Sequence, residues 1–310
     1  MNLTPSAREE NSPYIQLLII AGYALVGLII GMLLSIAVLY GMYGAEVFHN
    51  REALTGGDPA FAAGLKISQV LTTVITFIAP PILLARAEKT RLTQFYGFKK
   101  PTAYLLFLVL LLMICSSPFM EWIELANQKM ILPDFLKPLE NWMREKENEA
   151  MKMTVLLLTI KNAGDFIVNL VVIGLLPGVG EELLFRGAVQ RSFYRMYQNP
   201  HLAIWLSAFI FSAIHLQFFG FFPRMILGAM FGYIYLWTGS LWYAMFAHFL
   251  NNGYAVCQAW YFQLHHIPID KADNSLNFPW YGYIISLILS IFLIKYLKDK
   301  TNHYHGEQLD

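Results

Sequence analysis

The chain has 310 residues, 56% of them hydrophobic and only 14% charged, with a formal net charge of +1. Soluble domains carry about 25% charged residues, so this composition cannot supply a water-facing surface all round. The small net charge excludes nucleic acid as the main partner. Two cysteines, Cys115 and Cys257, lie in apolar runs without CxxC or metal-ligand spacing and are expected as buried free thiols.

The first apolar run, Tyr14 to Ala45, contains no Asp, Glu, Lys or Arg. Arg8 ahead of it is followed by Glu9 and Glu10, and no basic segment, short apolar stretch and small-residue cleavage site are found there. The run is therefore expected as a retained span. Hydropathy and charge spacing predict an all-α, polytopic membrane bundle of about eight helices. They are expected near Tyr14–Gly44, Ile67–Ala85, Thr102–Met120, Asp165–Leu184, His201–Phe219, Met225–Thr238, Leu241–Tyr261 and Trp280–Ile294. Pro80-Pro81 is expected to kink or end the second.

One integral membrane domain is expected over 1–310. It comprises three spans in 14–120, an outer polar segment in 121–152, a helix core in 165–262, and a last span with its tail in 280–310. Arg86, Lys89, Arg91, Lys99 and Lys100 link the second and third spans. Arg186, Arg191 and Arg195 follow the fourth, and Lys295, Lys298 and Lys300 the last. With both termini cytoplasmic, all these basic groups fall on the cytoplasmic side. Glu121–Lys152 and the Asp270–Asp273 cluster then fall outside, the former as short surface helices with a solvated charged face.

The chemistry concentrates where charge is rarest. Between Phe166 and Ile269 the only acidic residues are Glu181 and Glu182, in the string LLPGVGEELLFRGAVQ. Ionisable groups at membrane depth cost roughly 2.5 kcal/mol or more each and mark function. Pro-Gly-Val-Gly reads as a turn that would put both acids in the first turn of a helix, where the dipole favours them. Glu182 and Arg186, four apart with the acid first, are spaced to pair. Glu181 points about 100° away and has no local partner.

His215, in FSAIH, lies in a span without charge, and His248 and Asn252, in HFLNN, share one helix face. Asn251 lies off that face. A carboxylate, an imidazole and an imidazole with an amide, converging from three helices, would suit water-activated peptide hydrolysis with an oxyanion site. They would equally suit Zn²⁺ held by Glu and two His. Lesser features are Lys161–Asp165 as a local pair, Arg224 as a snorkelling side chain and Gly228/Gly232 as close helix packing. The aromatic cluster Phe218, Phe219, Phe221 and Phe222 is read as facing lipid.

EExxxR, FxxxH and HxxxN, in this order on successive helices, resemble the CAAX prenyl protease and bacteriocin-processing (CPBP, or Abi) family of intramembrane proteases. The resemblance covers about Asp165–Cys257. It implies that Glu181 activates water with the help of His215, and that His248 and Asn252 stabilise the oxyanion. Glu182 and Arg186 would hold the motif in shape. The favoured reading uses no metal; a Zn²⁺ version would use Glu181, His215 and His248. Expected partners are a peptide or membrane-associated protein substrate and the lipid bilayer. The expected location is a bacterial inner membrane, with the site open to the cytoplasm. The alternatives are a non-proteolytic immunity or scaffold protein and a proton-coupled transporter. A transporter would lead one to expect repeat symmetry between halves, which the sequence lacks.

Overall fold

In a computed structural model, which describes residues 10–45, 47, 59–267 and 278–305, every regular element among the described residues is helical. Helix α1, Pro13–Tyr43, starts where Ser12 accepts the Ile15 N–H and Pro13 presets the first turn. Helix α2, Ala62–Ala87, does not end at Pro80-Pro81. A π turn at Val74–Ile78 widens the helix just ahead of the prolines. It absorbs their missing donors and ring bulk. Helix α3, Ala103–Gln128, is capped by Thr102.

The outer polar segment is one 21-residue helix, α4, Lys137–Leu157, rather than several short ones. Its charges are not all solvated. Glu140 is buried and accepts from Arg144 (2.9 Å), Lys137 (3.2 Å) and the Leu132 N–H (3.1 Å). Arg144 also donates to the Met130 carbonyl, so the 130–132 loop is clamped to the helix. The Lys146–Glu149 pair is the solvated part. Arg144 covers the buried Phe219, and Trp142 packs on Phe218. The expected lipid-facing aromatic cluster therefore lies mostly beneath α4, with Phe222 exposed.

Helix α5, Ala163–Tyr197, is the longest at 35 residues. Asn162 caps it by accepting the Asp165 N–H, while Asp165 accepts the Lys161 backbone N–H. The Lys161–Asp165 contact is thus a capping bond and not an ion pair of side chains. The expected Pro-Gly-Val-Gly turn does not form: Leu176–Glu182 is helical, between π turns at Leu170–Leu175 and Leu183–Gln190. Pro177 follows the first π turn as Pro80 follows that of α2. Both glutamates consequently sit in mid-helix, away from any N-terminal dipole.

The remaining helices are α6 Pro200–Ala213, α7 Phe221–Thr238, α8 Leu241–Leu264 and α9 Trp280–His305. Among the described residues, six helical stretches are long and apolar enough to span a membrane: α1, α2, α3, α5, α7 with its lead-in turn, and α9. The other two expected spans fall short for different reasons. Helix α6 has 14 residues, and α8, with 24, carries His248, Asn251, Asn252, Gln258 and Gln263. Helix α1 packs on α2, α3 on α9, α5 on α8 and α6 on α7. The main core, including Leu184, Phe185, Phe211, Phe231 and Ala244, gathers where α5, α6, α7 and α8 meet.

Cys257 is exposed and Cys115 half-buried; both are free, so the expectation of two buried thiols fails for Cys257. The lone Gln198-Asn199 connection between α5 and α6 is tight, with Gln198 in the left-handed region and Asn199 capping α6. Beside it, Arg191 and Arg195 grip Glu10 at 2.7 and 2.9 Å, tying the start of the described chain to the end of α5. Arg8, Glu9 and the Asp270–Asp273 cluster lie outside the described residues.

Candidate active site

Depth brings the site together. Glu181 lies 16 residues before Tyr197 and His215 lies 15 after Pro200. At 1.5 Å per residue these are about 24 and 22 Å from the same tight connection. Because α5 continues to Tyr197, Glu181 is in mid-helix and level with His215, whereas hydropathy had placed it near the inner end of a shorter span.

The predicted Glu182–Arg186 pair forms. Arg186 Nη1 donates to Glu182 Oε1 at 2.8 Å, with both side chains buried. Arg186 Nη2 donates to the Gly228 carbonyl at 2.8 Å, and its guanidinium lies over the Phe211 and Phe231 rings. One turn on, Gln190 Nε2 donates to the Gly232 carbonyl at 3.2 Å. Two positions four apart on α5 thus meet two carbonyls four apart on α7. A Cβ at Gly228 would stand 3.0 Å from Arg186 Nη2, and one at Gly232 2.6 Å from Gln190 Oε1. GxxxG is helix packing, as the spacing suggests, with a specific use: it exposes backbone acceptors to buried donors.

His248 is the hub. Its Nδ1 is 2.8 Å from Glu182 Oε1, and its Nε2 is 3.7 Å from Glu181 Oε2. Phe231 stacks on the ring at 5.2 Å. A carboxylate only accepts, so Nδ1 carries a proton. Glu182 therefore serves both Arg186 and His248, where spacing had tied it to Arg186 alone. Glu181 does have a partner across the bundle, and it is His248. Its side chain retains 14% exposure, against none for Glu182.

His215 lies just beyond the end of α6, and its Nδ1 bonds to the Phe211 carbonyl at 2.7 Å. That carbonyl can only accept, so Nδ1 holds the proton and Nε2 the free lone pair. No hydrogen bond or ion pair joins His215 to Glu181. The link between the two imidazoles is Phe211, whose ring meets His215 at 5.1 Å and His248 at 6.0 Å. Asn252 Nδ2 donates to the Ile173 carbonyl, in the first π turn of α5, at 3.1 Å. Asn251, the weaker candidate by helix face, donates to Asn252 Oδ1 at 3.2 Å. It fixes which way the Asn252 amide faces.

Arg224 does not snorkel. Its Nη2 donates to Gln217 Oε1 at 2.8 Å, and its charge acts on Glu181, Glu147 and Glu124. Residues 183–190 are all buried and close the site toward the Arg191 end. The polar connection through Arg224 and Gln217 runs toward α4 instead. Sequence reasoning missed Gln217 and Gln190, read Arg224 as a snorkelling boundary residue and ranked Asn251 below Asn252. Only Gln190 left a signal, in the matched i,i+4 spacing of Arg186/Gln190 and Gly228/Gly232.

The Zn²⁺ reading needs Glu181, His215 and His248 to converge on one ion. Among the described residues no group of three or more His, Cys, Asp or Glu side chains is arranged to hold a metal ion. The two His248 nitrogens already face carboxylates, and His215 Nδ1 is taken by a backbone carbonyl.

Residues 163–254 match the family model described as type II CAAX prenyl endopeptidase Rce1-like, which is the CPBP family. A 113-residue stretch, 35% of this chain, is 30% identical to the protein YpbD of Bacillus subtilis (strain 168), described as uncharacterized. The match covers 53% of that relative, so the chain spans about half the length of the curated protein it resembles. No solved structure matches the chain. The family match and the apolar helices make this an integral membrane protein whose residues 163–254 are related to membrane proteases.

Proposed function

We propose, from that CPBP-type core, that the chain is an intramembrane endopeptidase that hydrolyses a peptide bond with a water activated by Glu181 and His215. The observation that carries the reading is His248 held between two glutamates, at 2.8 and 3.7 Å, at mid-depth in the bundle. Glu181 faces His248, and Glu182 faces both His248 and Arg186, so each carboxylate of the pair has a partner. Burial of such a set is tolerable only when the members pair.

Water between Glu181 and His215 Nε2 meets two acceptors. Glu181 takes its proton as the hydroxide oxygen bonds to the scissile carbonyl carbon, and the carbonyl electrons move to oxygen. The resulting oxyanion receives hydrogen bonds from His248 Nε2–H and from the second N–H of Asn252. Collapse breaks the C–N bond, and Glu181 returns the proton to the leaving amine. Glu182 holds His248 in its orientation. No metal enters this scheme. By the positive-inside rule the Arg191/Arg195 end is assigned to the cytoplasm of a bacterial cell.

The test uses purified protein and a fixed peptide panel. Wild type cleaves at least one peptide, while Glu181→Gln, folded and monodisperse, loses about 10²–10⁴-fold in rate. Cleavage undiminished in Glu181→Gln overturns the assignment of the base. Activity lost on chelation and restored by stoichiometric Zn²⁺ overturns the metal-free scheme.

A further inference from the structure

Besides Glu182 Oε2 and Gln190 Oε1 on α5, two buried polar atoms toward α4 lack partners, although the Phe219 N–H also acts on the Glu147 carboxylate. They are Arg224 Nη1, a donor, and Glu147 Oε2, an acceptor. The Gln217 carboxamide joins the residues that carry them. Its Oε1 accepts from Arg224 Nη2 at 2.8 Å, and its Nε2 donates to Glu147 Oε1 at 3.5 Å. One amide therefore already occupies one edge of the Arg224–Glu147 pair. Arg224 Nη1 and Glu147 Oε2 leave the same complement open, one donor and one acceptor. Buried donors and acceptors left unsatisfied cost about 1–3 kcal/mol each, so such a pair calls for an explanation.

The frame around this edge is rigid. Asn127 in α3 donates to the Phe218 carbonyl and accepts the Phe222 N–H, fixing the turn between α6 and α7 from below. Arg144 and Trp142 of α4 pack on Phe219 and Phe218 from above. The charge of Arg224 also reaches Glu181 and His215 electrostatically.

A residue of an extended chain presents its N–H and C=O on the same side, as in the hydrogen-bonded pairs of an antiparallel ladder. We propose that Arg224 and Glu147, spaced by Gln217, bind the main chain of one extended substrate residue, Arg224 Nη1 donating to its carbonyl and Glu147 Oε2 accepting its N–H. The proposal rests on the endopeptidase reading and deepens it. Recognition is of backbone, so the site takes an unfolded peptide segment with little demand on the side chain at that position. The substrate then comes in from the α4 end, opposite Arg191 and Arg195, in place of the expected opening toward the cytoplasm.

Single-atom backbone editing in the substrate tests this. A cleaved peptide is remade with an ester in place of the amide at each position in turn, removing one N–H at a time. Wild type is expected to show one position where the ester raises KM about tenfold, the loss of a hydrogen bond to a charged group. In Glu147→Ala that same ester has no effect beyond the higher KM of the variant. Arg224→Gln raises KM for all peptides and leaves the ester effect in place. An ester effect of equal size in wild type and Glu147→Ala at every position overturns the proposal, as does an unchanged KM in both variants. A merely structural role of Glu147 would not erase a position-specific effect. Binding of the fluorescently labelled panel to Glu181→Gln separates the two readings. If wild type cleaves nothing but binding still depends on Arg224 and Glu147, the subsite stands and the peptidase reading falls; binding indifferent to both residues overturns the subsite.

Discussion

Arg186→Met removes a guanidinium that is buried, bonded to Glu182 and Gly228 at 2.8 Å each, and laid over two phenylalanines. The methionine fills similar volume, so packing over Phe211 and Phe231 is largely kept. What is lost is the counter-charge: Glu182 remains buried with His248 as its one remaining side-chain partner. Breaking a buried pair from one side costs about 3–5 kcal/mol. For a chain of this length each kcal/mol moves Tm by about 2 °C, so the apparent Tm falls by about 6–10 °C. Glu181→Gln, by contrast, removes a partly exposed carboxylate whose nearest ion-pair contact is 3.7 Å. Its Tm should stay within about 2 °C of wild type, a change of roughly 1 kcal/mol. Adding Glu182→Gln to Arg186→Met removes the stranded charge and should recover part of the loss. The assay is thermal unfolding in one detergent, followed by intrinsic fluorescence. Equal Tm losses for Arg186→Met and Glu181→Gln, or a double variant less stable than Arg186→Met, would refute the division between a structural and a chemical glutamate.

Further perturbations at four residues follow from the same geometry. Asn252→Ala should lower kcat by about 10²–10³ if its amide meets the oxyanion. Asn251→Ala, which only frees that amide to rotate, should cost severalfold in kcat with KM unchanged. Gly232→Ala would place a Cβ 2.6 Å from Gln190 Oε1 and 3.0 Å from Ile204. Overpacking of this kind costs about 1–3 kcal/mol, read as a lower apparent Tm; an unchanged Tm would mean that α5 and α7 separate freely. At Glu140 the Arg144 hydrogen bond, with help from Lys137 and the Leu132 N–H and against burial, holds the carboxyl below its usual range. A depressed carboxylate contributes stability above its unfolded pKa and loses it as pH falls through the folded one. Hydrogen exchange in 130–144 should therefore speed up as pH drops below about 4, after correction for intrinsic rates. Glu140→Gln should show the faster exchange already at neutral pH.

The family resemblance and the Glu182–Arg186 pair could be read from sequence because both depend on short, regular spacing. An i,i+4 acid–base pair in a helix faces the same way whatever surrounds it. Other readings failed where tertiary packing outweighs local preference. Pro177 and two glycines spell a turn in isolation, yet π turns and contacts from α8 keep α5 helical through them: a Cβ on Gly178 would meet the Phe249 N–H nitrogen at 3.2 Å. Arg224 looked like a boundary residue because hydropathy cannot tell a lipid-facing cation from one turned toward Gln217.

Composition and hydropathy alone determined that this is a helical membrane protein, since a chain so poor in charge cannot solvate its surface and must satisfy its backbone internally. The order of three polar motifs likewise singled out the segments that carry the candidate site. Only the tertiary structure decided how those helices meet. It set Glu181 and His215 level on either side of one tight connection, made His248 the group shared by both glutamates, and turned Arg224 inward. Those outcomes depend on helix lengths, π turns and carbonyls left bare by Gly228 and Gly232. They are fixed by contacts between residues far apart in the chain, which local spacing does not encode.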